Sequence, residues 1–124
     1  MKIATDFEQS KKLAEFLPLE SADMCWTPFD EKWDAYLGTP NPDAIKKEIP
    51  CWSLAALINL LPNDEENSSV LSRGVWTNDE YESKWCAEWE YHGKDDYHHE
   101  LAYSYEPIDA CVELTIKIHE RNLI

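Results

Sequence analysis

Ser83-Lys84-Trp85-Cys86-Ala87-Glu88-Trp89-Glu90-Tyr91-His92, then Gly93-Lys94-Asp95-Asp96, then Tyr97-His98-His99-Glu100-Leu101-Ala102-Tyr103-Ser104-Tyr105, is the stretch on which the fold turns. Trp85, Ala87, Trp89 and Tyr91 alternate with Lys84, Cys86, Glu88, Glu90 and His92. That period of two, with one aromatic and one mostly polar face, marks a strand half buried in an antiparallel sheet. His92 to Asp96 reads as a hairpin turn and Tyr97 to Tyr105 as the returning strand. On it Tyr97, His99, Leu101, Tyr103 and Tyr105 share one face, and His98, Glu100, Ala102 and Ser104 the other. Aromatic pairing then predicts that Leu101, Tyr103 and Tyr105 join Trp85, Trp89 and Tyr91 in one core.

Working outward, Val70 to Trp76 reads as a preceding strand, with Gly74 marking a bulge or bend. Pro107 suits the first turn of a closing helix. Ile108, Cys111, Val112, Leu114, Thr115, Ile116, Ile118 and His119 span its broad apolar face, and Glu113 with Lys117 forms a favourable i,i+4 pair. Trp52 to Leu61, bracketed by Pro50 and Pro62, is apolar all round except for Asn59, which predicts a central helix buried on most sides. Asn63 to Ser69 is a polar loop. At the N-terminus, Thr5-Asp6-Phe7-Glu8 matches a capping box opening a helix that Pro18 ends. Ser21 to Leu37 reads as a short strand or hairpin, Gly38 to Pro42 as a loop, and Asp43 to Glu48 as one or two helical turns. The sum is a single α+β domain over residues 1–124. A small antiparallel sheet of three or more strands has its helices on one face, in the order α-(β)-α-β-β-β-α.

Composition limits the function. The 124 residues hold 25 acidic and 11 basic side chains, a formal charge of −14. Residues 51–124 have 15 acids against 5 bases, so most of the excess lies there. Neutralising phosphates takes Lys and Arg, so direct nucleic-acid binding is excluded. The same balance excludes double-stranded RNA binding, although the order helix, three strands, helix matches domains of that kind. No apolar run reaches the ~20 residues of a membrane span. Asp6 and Glu8 interrupt the N-terminus, where no apolar core of a signal peptide is found, so none is expected. Cys25, Cys51, Cys86 and Cys111 form no Cys-x-x-Cys pair and read as buried thiols of a reducing compartment, the cytoplasm.

The densest titratable cluster is at the hairpin, where His92, Asp95, Asp96 and His98 have the donor types of a divalent-metal site. Adjacent His98 and His99 point to opposite faces and cannot share one ion without a bulge. His119, in the apolar face of the last helix, reads as a core histidine or as a base for Cys86 or Cys111. No phosphate-binding glycine loop and no nucleophile elbow is present. No catalytic residue and no cofactor are expected. Six Trp and six Tyr are many to bury in 124 residues, so Trp26, Trp33 and Trp76, beside loops, are candidate contacts for a partner. Glu88, Glu90, Asp95, Asp96 and Glu100 complete the candidate interaction surface.

Ala22-Asp23-Met24-Cys25-Trp26, Ile49-Pro50-Cys51-Trp52-Ser53-Leu54 running into Leu57-Ile58 and Leu60-Leu61-Pro62, and Pro107-Ile108-Asp109-Ala110-Cys111 together resemble a family of small acidic single-domain proteins. The family comes from gut bacteria, their phages and other mobile elements, and has no assigned activity. The resemblance spans most of the chain and transfers no catalytic residue. It implies a cytoplasmic accessory protein of a mobile element.

Three readings follow. The first is a non-enzymatic interaction module, bound to a basic protein or to a second copy of itself. The second is an acidic DNA mimic that inhibits a host nucleic-acid-binding protein, which needs two rows of carboxylates on one surface. The third is a small metal-dependent or Cys-His enzyme.

Overall fold

The alternation at Ser83–His92 appears as the middle strand of a sheet in the computed structural model, which describes residues 1–29, 32–37, 48–77 and 79–123. The side chains of residues 28, 29, 32–37 and 75–77 are not among those described. The element order is α1 (Phe7–Ala14), a 3-10 turn (Leu19–Ser21), β1 (Met24–Phe29), β2 (Lys32–Leu37), β3 (Ile49–Cys51), α2 (Leu54–Leu60), β4 (Asn67–Thr77), β5 (Glu80–His92), β6 (Tyr97–Ser104) and α3 (Pro107–Glu120). The fold is α+β, as expected, but with two antiparallel sheets: β2-β1-β3 and β4-β5-β6.

Within the 21–37 segment β1 and β2 pair antiparallel, with Trp26 opposite Ala35. The readings for Gly38–Pro42 and for 43–47 lie outside the described residues. β3 was not foreseen. It uses Ile49, Pro50 and Cys51, and Pro50 is tolerated because β3 is an edge strand.

The main core lies between the β4-β5-β6 sheet and the helices. Trp89, Ala87 and Ala102 meet Ile108, Cys111, Leu114 and Ile118 of α3, with Leu57 of α2 and Leu13 of α1 against them. The broad apolar face of α3 makes it the central element. α2 takes a different place from the one its composition suggests. Only Ala56 and Leu57 are buried, and Ile58 is 44% exposed, because the helix packs on α3 through a single face. It starts at Leu54, not Trp52, because the Ser53 hydroxyl accepts the Ala56 amide and sets the boundary.

The first helix is also shifted. Asp6, not Thr5, is the N-cap, and it forms the capping box with Gln9 rather than Glu8. Thr5 is drawn into the core instead, where its hydroxyl meets Ser10 Oγ at 2.7 Å and accepts the Trp52 amide. Ala14 is the last helical residue, although Leu17 remains buried.

The β4–β5 register shifts between Arg73 and Val75, where Gly74 sits at φ +94°. That left-handed conformation suits glycine, so the predicted bulge is present. β4 begins at Asn67, so the end of the expected 63–69 loop is already strand.

The register of the β5–β6 hairpin overturns one expectation. Trp85 pairs with Ser104, Ala87 with Ala102, Trp89 with Glu100 and Tyr91 with His98. Directly opposed residues share a face. The inward face of β6 is therefore His98, Glu100, Ala102 and Ser104, while Tyr97, His99, Leu101 and Tyr103 face outward. The anticipated aromatic core across this hairpin does not form. Small Ala102 lies inside because α3 packs closely there, and Glu100 at the rim is neutralised by Arg121, whose Nη2 reaches Oε1 at 2.6 Å.

Candidate functional site

The outer face of β4-β5-β6 is built by the same parity that builds the core. Cys86, Glu88, Glu90 and His92 of β5 point away from Trp85, Ala87, Trp89 and Tyr91. Ser68, Val70 and Ser72 flank them on β4, and Tyr97, His99, Leu101 and Tyr103 on β6. Among the described residues, α3 is the helix that packs extensively on this sheet, and it lies on the other face. Val70 is 50% exposed and Tyr97 57%, and Tyr103 is also exposed.

Polar groups occupy the middle of this face. His99 stands opposite Glu90, and its Nε2 meets Glu88 Oε2 at 2.8 Å. His92 Nε2 meets Glu90 Oε2 at 2.9 Å. One ligand atom from each of Glu88, Glu90 and His99 lies within 4.8 Å of the others. The Tyr97 ring sits between the two imidazoles, with centroids 5.2 Å from His92 and 6.2 Å from His99. Burial, then the charges of Glu90 and Glu88, raise the Tyr97 phenol above its ordinary value. Burial, then Glu88, likewise raise the Cys86 thiol, against an opposing hydrogen bond from Tyr103.

The residues singled out from the sequence are distributed differently. Glu88 and Glu90 lie on the outer face, Glu100 on the inner one, and Asp95 and Asp96 are exposed in the hairpin turn, where the Gly93 amide donates to the Asp96 carbonyl at 2.9 Å. His92 and His98 do not converge. His98 faces inward, stacks on Tyr91 and meets Arg121 Nη1 at 3.2 Å, while His92 faces outward. Trp26 is half buried. It packs on Ala4, Met24 and Cys51, and its indole N–H donates to the Thr5 carbonyl at 3.0 Å. Trp33 and Trp76 belong to β2 and β4, and their side chains lie outside the described residues.

The cysteine–histidine pairing fares no better. Burial pushes the Cys111 thiol up to about 11 and the Cys51 thiol up to about 12, so both are protonated at neutral pH and poor nucleophiles. His119 stacks on Phe16, with ring centroids 3.8 Å apart, on the side of the sheet opposite Cys86. A separate apolar groove of about 330 Å³ lies between α1 and β3, with Lys11 and Glu48 among its lining residues.

Sequence reasoning weighs His99 only against His98 and does not join it to Glu88 and Glu90, although the signal for that is present. A four-residue turn closed by His92 and Tyr97 makes Glu90 and His99 direct partners. Comparison of the chain with protein-family models, curated proteins and solved structures finds no match in any of the three.

Proposed function

We propose that this chain is a non-enzymatic interaction module that binds a basic protein through the outer face of β4-β5-β6. The carrying observation is the face itself, uncovered among the described residues, which combines exposed Tyr97, Tyr103 and Val70 with Glu88 and Glu90. Tyr provides rigid contact area with a polar end, and uncovered apolar sheet surface marks docking sites. Charge complementarity selects the partner. Residues 79–109 hold ten acids against two bases, so a second copy of the chain would meet like charge, whereas a basic surface would be attracted and steered. The resemblance to proteins of gut bacteria and their phages supports a cytoplasmic accessory role in a mobile element. No described helix is long and apolar enough to cross a membrane.

The division of Glu88, Glu90 and Glu100 between two faces favours this reading over a nucleic-acid mimic, which needs its carboxylates in rows on one surface. The test is affinity capture from host lysate with the wild-type chain and a Tyr97→Ser/Tyr103→Ser variant. The expected result is a basic protein retained by the wild type, released by salt and lost with the variant. Capture unaffected by both substitutions would overturn the docking face.

A further inference from the structure

We propose that Glu88, Glu90 and His99 bind a divalent first-row transition cation on the outer face of β5 and β6, with zinc the best fit. The site does not depend on the docking role, and it is distinct from the hairpin-tip cluster that the sequence alone suggests.

The donor set is mixed. Two carboxylates and an imidazole suit zinc and its neighbours in the first row, whereas magnesium and calcium take all-oxygen sets. The three residues stand on adjacent antiparallel strands, Glu90 directly across from His99 and Glu88 diagonal to it. Their positions are fixed by backbone pairing rather than by a loop. Two ligands on one tetrahedral zinc lie about 3.4 Å apart, given bonds of about 2.1 Å. The three donor atoms here are all within 4.8 Å of one another. Side-chain rotation of roughly 1 Å would bring them onto one ion.

Charge supplies a second, independent observation. Elsewhere among the described residues, most paired acids meet ammonium or guanidinium groups: Glu82 with Lys84, Glu100 with Arg121, Glu113 with Lys117, and Asp6 and Asp109 with Lys2, while Asp96 in the hairpin turn lies 4.0 Å from the His98 imidazole. The ion-pair partners of Glu88 and Glu90 are imidazoles, His99 and His92, and the Tyr97 hydroxyl also meets Glu90. No Lys or Arg ion pair reaches them among the described residues. A dication would neutralise both carboxylates. It would take the place of the His99–Glu88 hydrogen bond, since the imidazole nitrogen and the carboxylate oxygen that meet at 2.8 Å are both metal-ligand atoms.

The surroundings support the ligands. His92 Nε2 lies 2.9 Å from Glu90 Oε2, so it can hold that carboxylate in orientation as the ion binds. The Tyr97 ring walls the site on the side of the hairpin turn. The ion would join β5 to β6 on the side away from α3 and leave a coordination position open to water.

Isothermal titration calorimetry of the purified full chain with zinc chloride tests the site, with cobalt chloride as a visible-absorption probe of coordination. The expected result is one zinc per chain and tetrahedral cobalt bands. Glu88→Gln, Glu90→Gln and His99→Ala should each weaken binding at least about tenfold, and His92→Ala about tenfold. Asp95→Asn, Asp96→Asn, His98→Ala and Cys86→Ser should leave it unchanged. Circular dichroism of each variant keeps loss of binding separate from loss of fold, since all these side chains lie outside the core. The proposal is overturned if zinc does not bind, if folded His99→Ala and Glu88→Gln bind as the wild type does, or if the loss follows Asp95, Asp96, His98 or Cys86 instead.

Discussion

Thr5 and Trp52 hold each other through two hydrogen bonds. The Thr5 amide donates to the Trp52 carbonyl at 2.9 Å, and the Trp52 amide donates to Thr5 Oγ1 at 3.1 Å. Both residues are fully buried, and the pair ties the N-terminal segment to the junction between β3 and α2. Thr5→Val keeps the shape but strands the Trp52 amide away from water, which costs about 1–3 kcal/mol. Thr5→Ser keeps the oxygen and removes one methyl, a loss of about 1 kcal/mol. Urea unfolding of the two variants, at unchanged slope, checks the difference. Equal stabilities would mean that the hydroxyl contributes only its bulk.

A second polar anchor starts α2. The Asp23 carboxylate accepts both the amide of Ser53, at 2.9 Å, and its hydroxyl, while Ser53 Oγ accepts the Ala56 amide at 3.2 Å. Ser53→Ala removes the cap and should cost about 1 kcal/mol. Asp23→Asn and Ser53→Ala act on one network, so their effects in a double-mutant cycle should fall short of adding. Full additivity in thermal or urea unfolding would show that the two residues act separately.

These two anchors explain where local patterns misplaced boundaries. Thr5-Asp6-Phe7-Glu8 fits a capping box one residue early, because nothing local says that Trp52, 47 positions away, claims the Thr5 hydroxyl. Trp52 to Leu61 is apolar all round except for Asn59, which periodicity reads as burial on most sides. In the fold α2 touches α3 through one face, and Ile58 remains in solvent. The β5 alternation was legible because its aromatic and charged sides differ sharply, and the Gly74 bulge because glycine is the residue suited to that backbone. β6 was ambiguous for the opposite reason. Both of its faces hold His and a residue small or large enough for either environment, and the choice was settled by register rather than by side-chain character. The site follows from that choice, since one step of register would send His99 to the helix side.

The assignment of the β6 faces has its own test. Trp89 is fully buried under α3, with its indole N–H donating to Asn67 Oδ1 at 2.8 Å, whereas Tyr103 stands on the outer face. Trp89→Ala should cost about 3–5 kcal/mol by leaving a cavity. Tyr103→Ser should cost roughly 1 kcal/mol or less, in the range of surface substitutions. Denaturant unfolding measures both. Comparable losses at the two positions would mean that Tyr103 is part of the core after all.

Acid should weaken the N-terminal cap in a way that one substitution isolates. Burial works against the charge of Asp6, but the Gln9 amide, which donates to Oδ1 at 2.8 Å, and the Lys2 ammonium at 3.2 Å outweigh it and hold the carboxyl below its ordinary value of 3.8. A carboxyl depressed in the folded state stabilises above its unfolded pKa and loses that contribution as pH falls through the folded one. The Lys2 ammonium works in the other direction. Burial opposes its charge, but hydrogen bonds to Asp109 and Asp6 raise it above its ordinary value of 10.5, so its contribution persists until strongly alkaline pH. The pair is therefore at full strength around neutrality and fails below about pH 4. Asp6→Asn keeps an equally good N-cap but cannot pair with Lys2. Because Asp6 is half exposed, solvent screening limits the loss at pH 7 to about 0.5 kcal/mol. Urea midpoints of the wild type and Asp6→Asn, followed from pH 7 down to about pH 3, should converge as the acid contribution disappears. The change in net charge common to both chains cancels in this difference. Curves that stay parallel would mean that Asp6 titrates alike in the folded and unfolded chain.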